Sequence, residues 1–432
     1  TWESLPPSTK RSYFLTAAQA IESNKDWRDK ARELIKQELG FGDLWIDINF
    51  SASVSALREA ASICTGVGIT YVLCIHPGAR VVQERRAAGV AFGICPWNAP
   101  LNLTIRAFAI PLATGNTVVL KSSELCPKTQ QHLIDLLHSP SVGIPPEALS
   151  IFHCSRAEAP ALVEECVRHE AVRRINFTGS AKVGSIIASL AGKHLKQGIY
   201  ELGGSAPVLV LPSASSNILT VAHGILTGAL LHSGQVCMSS PRVLVHSSIK
   251  QSLVDELVKG FKSVEGKGKL GQLTMTEHEE RVRGWMEDAV RKGGRMVVHG
   301  KERGWIVDLD DVPVERLKEV ESWNEEVFGP VIHLRSFTTT SEALDLANSS
   351  PYSLCAAVWS SDVNEALEVA SCLRVGTVQV NGGTVHVESA NGVGNMGLGG
   401  ASGYGRFCVD AFTDLRTVVI HPKEDRYPFV EH

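Results

Sequence analysis

The chain has 432 residues, 44% of them hydrophobic and 20% charged, with a net charge of −4 at pH 7. That length exceeds one ordinary domain and predicts two or three, with a globular composition. The near-balanced charge, with no basic block, excludes a dedicated nucleic-acid binder. No uninterrupted apolar run reaches the length of a bilayer span, and the nearest, AFAIPLATGNTVVL, is broken by Pro111 and Gly115.

The opening, TWESLPPSTKR, carries no basic-then-apolar leader. Amphipathic helices follow in SYFLTAAQAIES, DKARELIKQEL and SASVSALREAASICTGV. After a turn at Pro77-Gly78, ARVVQERRAAGVAFGICPWN reads as strand. GNTVVLKSSE is a strand ending in a Ser/Glu cap signal, RRINFTGS a strand and AKVGSIIASLAG its following helix. QGIYELGG and APVLVLP are further strands, and strands alternating with helices predict a parallel sheet covered on both faces. From about Ser205 a second α/β set begins. SNILTVAHGILTGALLHSG is a long helix, GQVCMSSPRVLVH a turn and strand, and SLVDELVKGFKSV and HEERVRGWMEDAVRKGG are amphipathic helices. NEALEVASCL precedes the strand GTVQVN, and LRTVVIH near the end is strand-like.

The chain has ten cysteines, the closest pair in sequence, Cys64 and Cys74, ten positions apart, so no CxxC or zinc-ribbon spacing exists. Scattered thiols predict a reducing compartment, hence the cytoplasm. The zincin pattern fails at both places it begins: His169-Glu170 is followed by Arg173, and His278-Glu279 by Val282. No metal site is expected.

Cys237 follows Gly234-Gln235 on a tight turn after a long helix, where a side chain can face a cleft; a lone cysteine is otherwise a small buried hydrophobe. Asn98, in PWNAP, is a turn residue or an amide donor to an oxyanion. Glu201, between QGIY and LGG, sits in an apolar, glycine-rich setting that disfavours a solvated edge, and partial burial would raise its pKa. Thr178-Gly179-Ser180 is a strand-to-helix turn suited to a pyrophosphate, with Gly184 permitting close helix packing. A formal GxGxxG at Gly392–Gly397 follows no clear strand and opens no helix, so it is set aside. His232, five before Cys237, reads as a structural histidine at a helix end.

The ordered set PWNAP, VVLKSSE, FTGSAKVG, ELGG, GQVC and EEVFGP resembles the aldehyde dehydrogenase superfamily over nearly the whole chain. The resemblance implies a doubly wound NAD-binding domain (residues 1–70 and 88–204), an α/β catalytic domain (205–405) and a small β oligomerisation arm (71–87 and 406–432). It implies Cys237 as nucleophile, Asn98 as oxyanion donor and Glu201 as the base that activates water. Lys121 and Glu124 would bind the adenosine ribose, Glu326 the nicotinamide ribose, and Phe328 the nicotinamide ring. Trp97, Ser122, Gly179, Ser180, Gly184, Leu202 and Gly203 would complete the NAD site. The implied reaction is oxidation of a small-molecule aldehyde to the acid by an assembly of two or four copies. The stretches WNAPLNLTIRAFAIPLATGNTVVLKSSELCP, LLHSGQVCMSS and ASGYGRF are similar to the salicylaldehyde, benzaldehyde and vanillin dehydrogenase branch. Ala99, Asn102, Leu103 and Arg106 would then face the substrate, with Arg106 meeting a polar substituent or serving as an ion-pair partner.

Four departures stand beside the resemblance. The strands that normally precede the first helix are absent, and GKERGWIVDLDDV is short and lacks the usual Pro-Thr-containing strand. Ser205 replaces a lysine after ELGG, and NMGLGGASGYGRF lacks PFGG. These keep two alternatives open: a non-catalytic relative, and an enzyme that passes its thioester to coenzyme A.

Overall fold

The computed structural model describes residues 1–72, 78–301, 303–385 and 408–423. The GxGxxG at 392–397 and the ASGYGRF segment lie outside the described residues. Three helices open the chain: α1 (Pro7–Ser23), α2 (Lys25–Leu39) and α3 (Asp43–Cys64). Asn24 caps α2 by accepting from the Trp27 N–H, and Gly40 ends it in the left-handed region at φ 69°. The buried face of α2 recurs at Trp27, Ala31, Leu34, Ile35 and Leu39, the helical period.

The next elements are β1 (Ile69–Val72), β2 (Arg80–Ala87), β3 (Val90–Ile94), α4 (Asn102–Ala113), β4 (Thr117–Lys121), α5 (Pro127–His138), β5 (Leu149–Phe152), α6 (Ala159–Arg168), β6 (Val172–Thr178), α7 (Ala181–Lys193) and β7 (Gln197–Glu201). ARVVQERRAAGVAFGICPWN is therefore two strands, β2 and β3, which join different sheets. β3 to β7 form a five-stranded parallel sheet in the order β5-β4-β3-β6-β7. The order reverses at β3, and in open α/β sheets ligands bind beyond the carboxyl ends of the strands at such a point. α4 is buried along its whole length, which explains its continuous apolar sequence.

The second half supplies β8 (Pro207–Val210), α8 (Ile218–Leu230), β9 (Arg242–His246), α9 (Lys250–Gly266), α10 (Thr276–Arg291), β10 (Arg295–His299), β11 (Trp305–Asp308), α11 (Glu321–Asn324), β12 (Val331–Phe337), α12 (Thr340–Asn348), β13 (Cys355–Trp359), α13 (Val363–Ser371) and β14 (Thr377–Val380). These strands form a seven-stranded sheet ordered β10-β11-β12-β9-β8-β13-β14, antiparallel only at β10. GKERGWIVDLDDV does contain a strand: β11 is wholly buried and pairs on both sides. The expectation of a missing strand fails because four buried residues suffice when both neighbours are paired. Arg242 is fully buried, stacks 4.4 Å above Trp323 and donates to the Leu346 and Ala347 carbonyls at the end of α12. Its burial pushes its pKa down to about 10.

One helical stretch, Pro212–Gly234, is long and apolar enough by composition to cross a membrane, although Ser, Asn, Thr and His interrupt its apolar residues. Its Val221, Ala222, Ile225, Leu226 and Ala229 are buried in the core between α8 and the second sheet.

The described residues end with α14 (Val409–Phe412) and β15 (Thr413–Ile420). β15 pairs antiparallel with β2 from Thr413↔Ala87 to Ile420↔Arg80, and β1 pairs with the other edge of β2. This three-stranded sheet leaves Tyr71 78%, Leu415 55% and Ile420 52% exposed.

Candidate active site

The singled-out residues gather at the carboxyl ends of the first sheet and in two loops of the second half. β3 leads into Pro96-Trp97-Asn98. Asn98 is buried and fixed at both ends: its carbonyl accepts from Trp45 Nε1 at 2.7 Å, and its Nδ2 donates to the Gln235 carbonyl at 3.2 Å. Gln235 lies two residues before Cys237, so the amide reaches the loop that carries the thiol.

That loop is held from several directions. α8 ends at Leu230, and Leu231–Gly234 form a tight turn with His232 at φ 53° and Ser233 at φ 52°. Gln235 Oε1 accepts from the Thr274 N–H at 2.9 Å. Val236 and Met238 are buried in the first core, whereas Cys237 between them is only partly buried. The residues on either side anchor the loop, and the nucleophile candidate between them packs against the same core while staying partly accessible. His232 lies flat on Trp45, with ring centroids 5.1 Å apart, and meets Phe41 edge-on at 4.1 Å. Burial pushes its pKa down to about 3, so it is far too weak a base to serve near neutral pH.

Glu201 ends β7 and is buried. Its Oε2 accepts from Arg106 of α4 at 2.7 Å, and the two side chains are 7% and 2% exposed. Arg106 is thus an ion-pair partner inside the site. Burial does not act alone on Glu201, as the sequence reading supposed; a buried cation sits beside it.

Beyond Glu201 the chain passes against the nucleophile loop. A Cβ on Gly204 would lie 2.0 Å from the Cys237 carbonyl oxygen, so only glycine allows this approach. Gly234, at φ 73°, would place a Cβ 2.1 Å from the Gly329 carbonyl oxygen, which brings the EEVFGP loop to the same junction. In that loop Glu326 packs on Gly203 and accepts from the Gly204 N–H at 3.0 Å. Phe328 is held at φ 54°, edge-on to Trp97 at 5.8 Å and stacked over His278 at 6.0 Å.

The remaining residues line the neighbouring strand ends. Lys121 is buried; its Nζ donates to the Ser122 carbonyl at 2.9 Å and lies 3.6 Å from Glu124, whose side chain is 35% exposed. The Gly179 N–H donates to the Glu201 carbonyl at 3.0 Å. Ser180 caps α7 by accepting from the Val183 N–H at 3.4 Å, and Gly184 packs on Leu202. Ser122, Ser123 and Glu124 do not cap α5, whose N-cap is Cys126 without a side-chain bond.

Sequence reading missed two residues. Gln130, fully buried on α5, accepts from the Ser123 N–H at 2.7 Å and donates to the Pro96 carbonyl at 3.0 Å and Thr104 Oγ1 at 2.8 Å. It joins the Ser122–Glu124 loop to the Asn98 loop. His153, just beyond β5, shares a 2.7 Å hydrogen bond with Ser122 Oγ and contacts Gln131 Oε1 at 2.8 Å. Gln130 carried a signal: it shares the buried face of Leu133, Ile134 and Leu137. His153 carried none. Among the described residues no group of three His, Cys, Asp or Glu side chains could hold a metal ion.

Glu326 yields a pH-dependent expectation. Burial pushes its carboxyl from 4.5 up to about 7. The folded chain therefore binds this proton more tightly than the unfolded chain does. The resulting stabilisation is complete below 4.5 and is lost as pH rises through about 7. Glu326→Gln should accordingly gain Tm relative to wild type as pH is raised from about 5 to about 8. A Tm difference flat across that range would contradict the assignment.

A parallel sheet that reverses at β3, with a cysteine, an amide and a carboxylate on its strand ends and adjoining loops, defines an α/β protein. Residues 1–418 match the model of the Aldehyde dehydrogenase family, and the chain belongs to that family and is an oxidoreductase. It is 36% identical over 442 residues to a vanillin dehydrogenase of Pseudomonas sp. (strain HR199 / DSM 7063), covering 99% of this chain and 88% of the relative. A salicylaldehyde dehydrogenase of Pseudomonas sp. (strain C18) is 33% identical over 444 residues, covering 99% and 89%. The fold superposes with a TM-score of 0.92 on a salicylaldehyde dehydrogenase from Pseudomonas putida G7 solved with salicylaldehyde, at 32% identity and covering 99% and 89%.

Proposed function

We propose that this enzyme oxidises an aromatic aldehyde to its carboxylic acid with NAD, through a thiohemiacetal and then a thioester on Cys237. The observation that carries the reading is the junction at Gly204, which seats the Cys237 backbone against the strand end bearing Glu201. The Asn98 amide on the Gln235 carbonyl supports it from the other side.

The Cys237 sulfur bonds to the aldehyde carbon, and the carbonyl oxygen becomes negative. The Asn98 amide and the Cys237 N–H are the donors for that oxyanion, and such a donor contributes roughly 3–4 kcal/mol in the transition state. When bound, NAD supplies the hydride acceptor. Lys121, Ser122 and Glu124 would hold its adenosine ribose, Gly179, Ser180 and the start of α7 its pyrophosphate, and Glu326 its nicotinamide ribose. Phe328 and Trp97 would flank the nicotinamide ring, with Gly184, Leu202 and Gly203 shaping the floor. The residues fit this use: the first turn of α7 is uncovered, with Val183 45% exposed. Glu201 then takes a proton from the water that attacks the thioester. The C–S bond breaks with its electron pair on sulfur, and the acid leaves.

The aromatic preference is supported by the names of the relatives and by Ala99, whose small side chain leaves room for a ring beside Asn98. The test is NADH absorbance over aromatic and aliphatic aldehydes, with and without coenzyme A. The reading requires higher kcat/KM for aromatic aldehydes and no need for coenzyme A. No NADH with any aldehyde would favour a non-catalytic relative.

NAD should be preferred to NADP by at least about tenfold in kcat/KM, because Glu124 would face a 2′-phosphate with like charge. Glu124→Gln should narrow that gap; equal use of both cofactors by the wild type would contradict the role.

We assign residues 1–70 and 88–204 to cofactor binding, 205–405 to catalysis, and 71–87 with 406–432 to an arm for association, in a cytoplasmic enzyme. The exposed edges β1 and β15 support a twofold assembly. Light scattering should give a dimer or a tetramer, and a monodisperse monomer at high concentration would remove the arm's role.

A further inference from the structure

We propose that Arg106 is a positioning residue for thioester hydrolysis: it holds the Glu201 carboxylate ionised and ties it to the turn that opens the cofactor helix. This rests on the reading of Glu201 as the water-activating base.

Arg106 is set in a helix whose twelve residues are all buried. A buried guanidinium is costly unless it is paired and hydrogen-bonded, so its partners indicate what it is for. One is the Glu201 carboxylate, at 2.7 Å. Another is Thr178 Oγ1, at 3.3 Å from the second terminal nitrogen. Thr178 directly precedes Gly179, whose N–H donates to the Glu201 carbonyl. One planar fork therefore spans the base and the residue before the phosphate turn, a geometry that a lysine's single point charge cannot reproduce.

The titratable groups that the surrounding elements bring to this region are Arg106 from α4, Cys237 from the nucleophile loop and Glu326 from the loop before β12. Thr178 and Gly179, at the end of β6, add neutral donors and acceptors. During hydrolysis Cys237 is acylated and uncharged, so Arg106, the cation in direct contact with Glu201, is the charge that favours its ionised form.

In hydrolysis a water oxygen bonds to the acyl carbon while Glu201 takes one proton from that water. The C–S bond breaks, its electron pair returns to Cys237, and the acid forms. Glu201 must begin ionised. Without the guanidinium, hydrolysis should demand a higher pH. Thioester formation uses Cys237 and Asn98 and should survive.

The experiment is rapid mixing with an aromatic aldehyde and NAD from pH about 5.5 to about 9.5, following the NADH burst, the later steady rate and acid-quenched acyl-enzyme. Arg106→Gln and Arg106→Lys are compared with wild type. Both should keep a burst near one NADH per active subunit. The acid limb of hydrolysis should move to higher pH, further for Gln than for Lys, with rates approaching wild type at the alkaline end. An acid limb coincident with wild type in either variant would overturn the proposal. So would equal loss of burst and hydrolysis at every pH, which is the signature of a scaffold residue. Should Arg106→Gln not fold, the Lys variant alone decides. Glu201→Gln is the reference and should burst and then stall; normal turnover by that variant would bring down the base assignment and this proposal with it.

Discussion

Cys237→Ala should form no detectable NADH from any aldehyde, a loss of at least about 10⁴-fold in turnover. The loop geometry makes this a clean test. Val236 and Met238 carry the apolar anchoring, while the Cys237 side chain lies between them and is only partly buried. Removing one sulfur atom there leaves the anchors, the Asn98–Gln235 bond and the Gln235–Thr274 bond in place. Stability should therefore change by less than about 1 kcal/mol. Cofactor affinity should persist, since Lys121, Glu124 and the start of α7 belong to other elements. Turnover close to wild type would remove Cys237 as nucleophile. Loss of cofactor binding together with turnover would mean that the substitution disturbed the loop rather than the chemistry.

Gly204→Ala should be nearly as damaging although it removes no functional group. The added carbon would fall 2.0 Å from the Cys237 carbonyl oxygen, well inside any permitted contact. The obstructing atom is backbone, so no side chain can swing aside. The nucleophile loop and the Glu201 strand end must separate, and a misplacement near 1 Å costs about 10²-fold in rate. Overpacking adds a stability loss of about 1–3 kcal/mol. A suitable control is Gly284→Ala on α10, where an added Cβ meets nothing within 4 Å. There the helix should gain about 0.5–1 kcal/mol and activity should hold. Full activity in Gly204→Ala would show that the close approach is dispensable.

What could be read from the chain depended on how local the physics was. β3 and β4 are short apolar runs, β6 and β7 carry their apolar residues among polar ones, and all four alternate with helical segments, so the parallel sheet follows from that alternation. The turn at Gly179-Ser180 was equally visible, since the strand, the glycine and the N-cap lie within a few residues. Arg106 and Glu201 are 95 positions apart in sequence, and no local pattern pairs them. His153 meets Ser122 across 31 residues, through the adjacency of β4 and β5. β11 was missed because the usual Pro-Thr pair is lacking, whereas four buried residues paired on both sides form the strand without it. Glu201 was placed correctly in a dry setting, but its partner is a cation on a largely apolar helix whose other polar residues are Asn102 and Thr104.

The pairing of β2 with β15 also bears on how the chain is made. Gln83 and Thr417 touch across 334 residues of intervening sequence. Closing so long a loop costs about 3 kcal/mol more than closing a ten-residue one, at roughly 0.6 kcal/mol per doubling. During synthesis β2 emerges early and waits, with an open edge, until β15 has left the ribosome. The small sheet therefore assembles last, after both larger sheets have had the chance to fold, and any association through it is restricted to chains completed through β15. Truncated chains would present the unmatched edge of β2 instead and would be the aggregation-prone species in the cell.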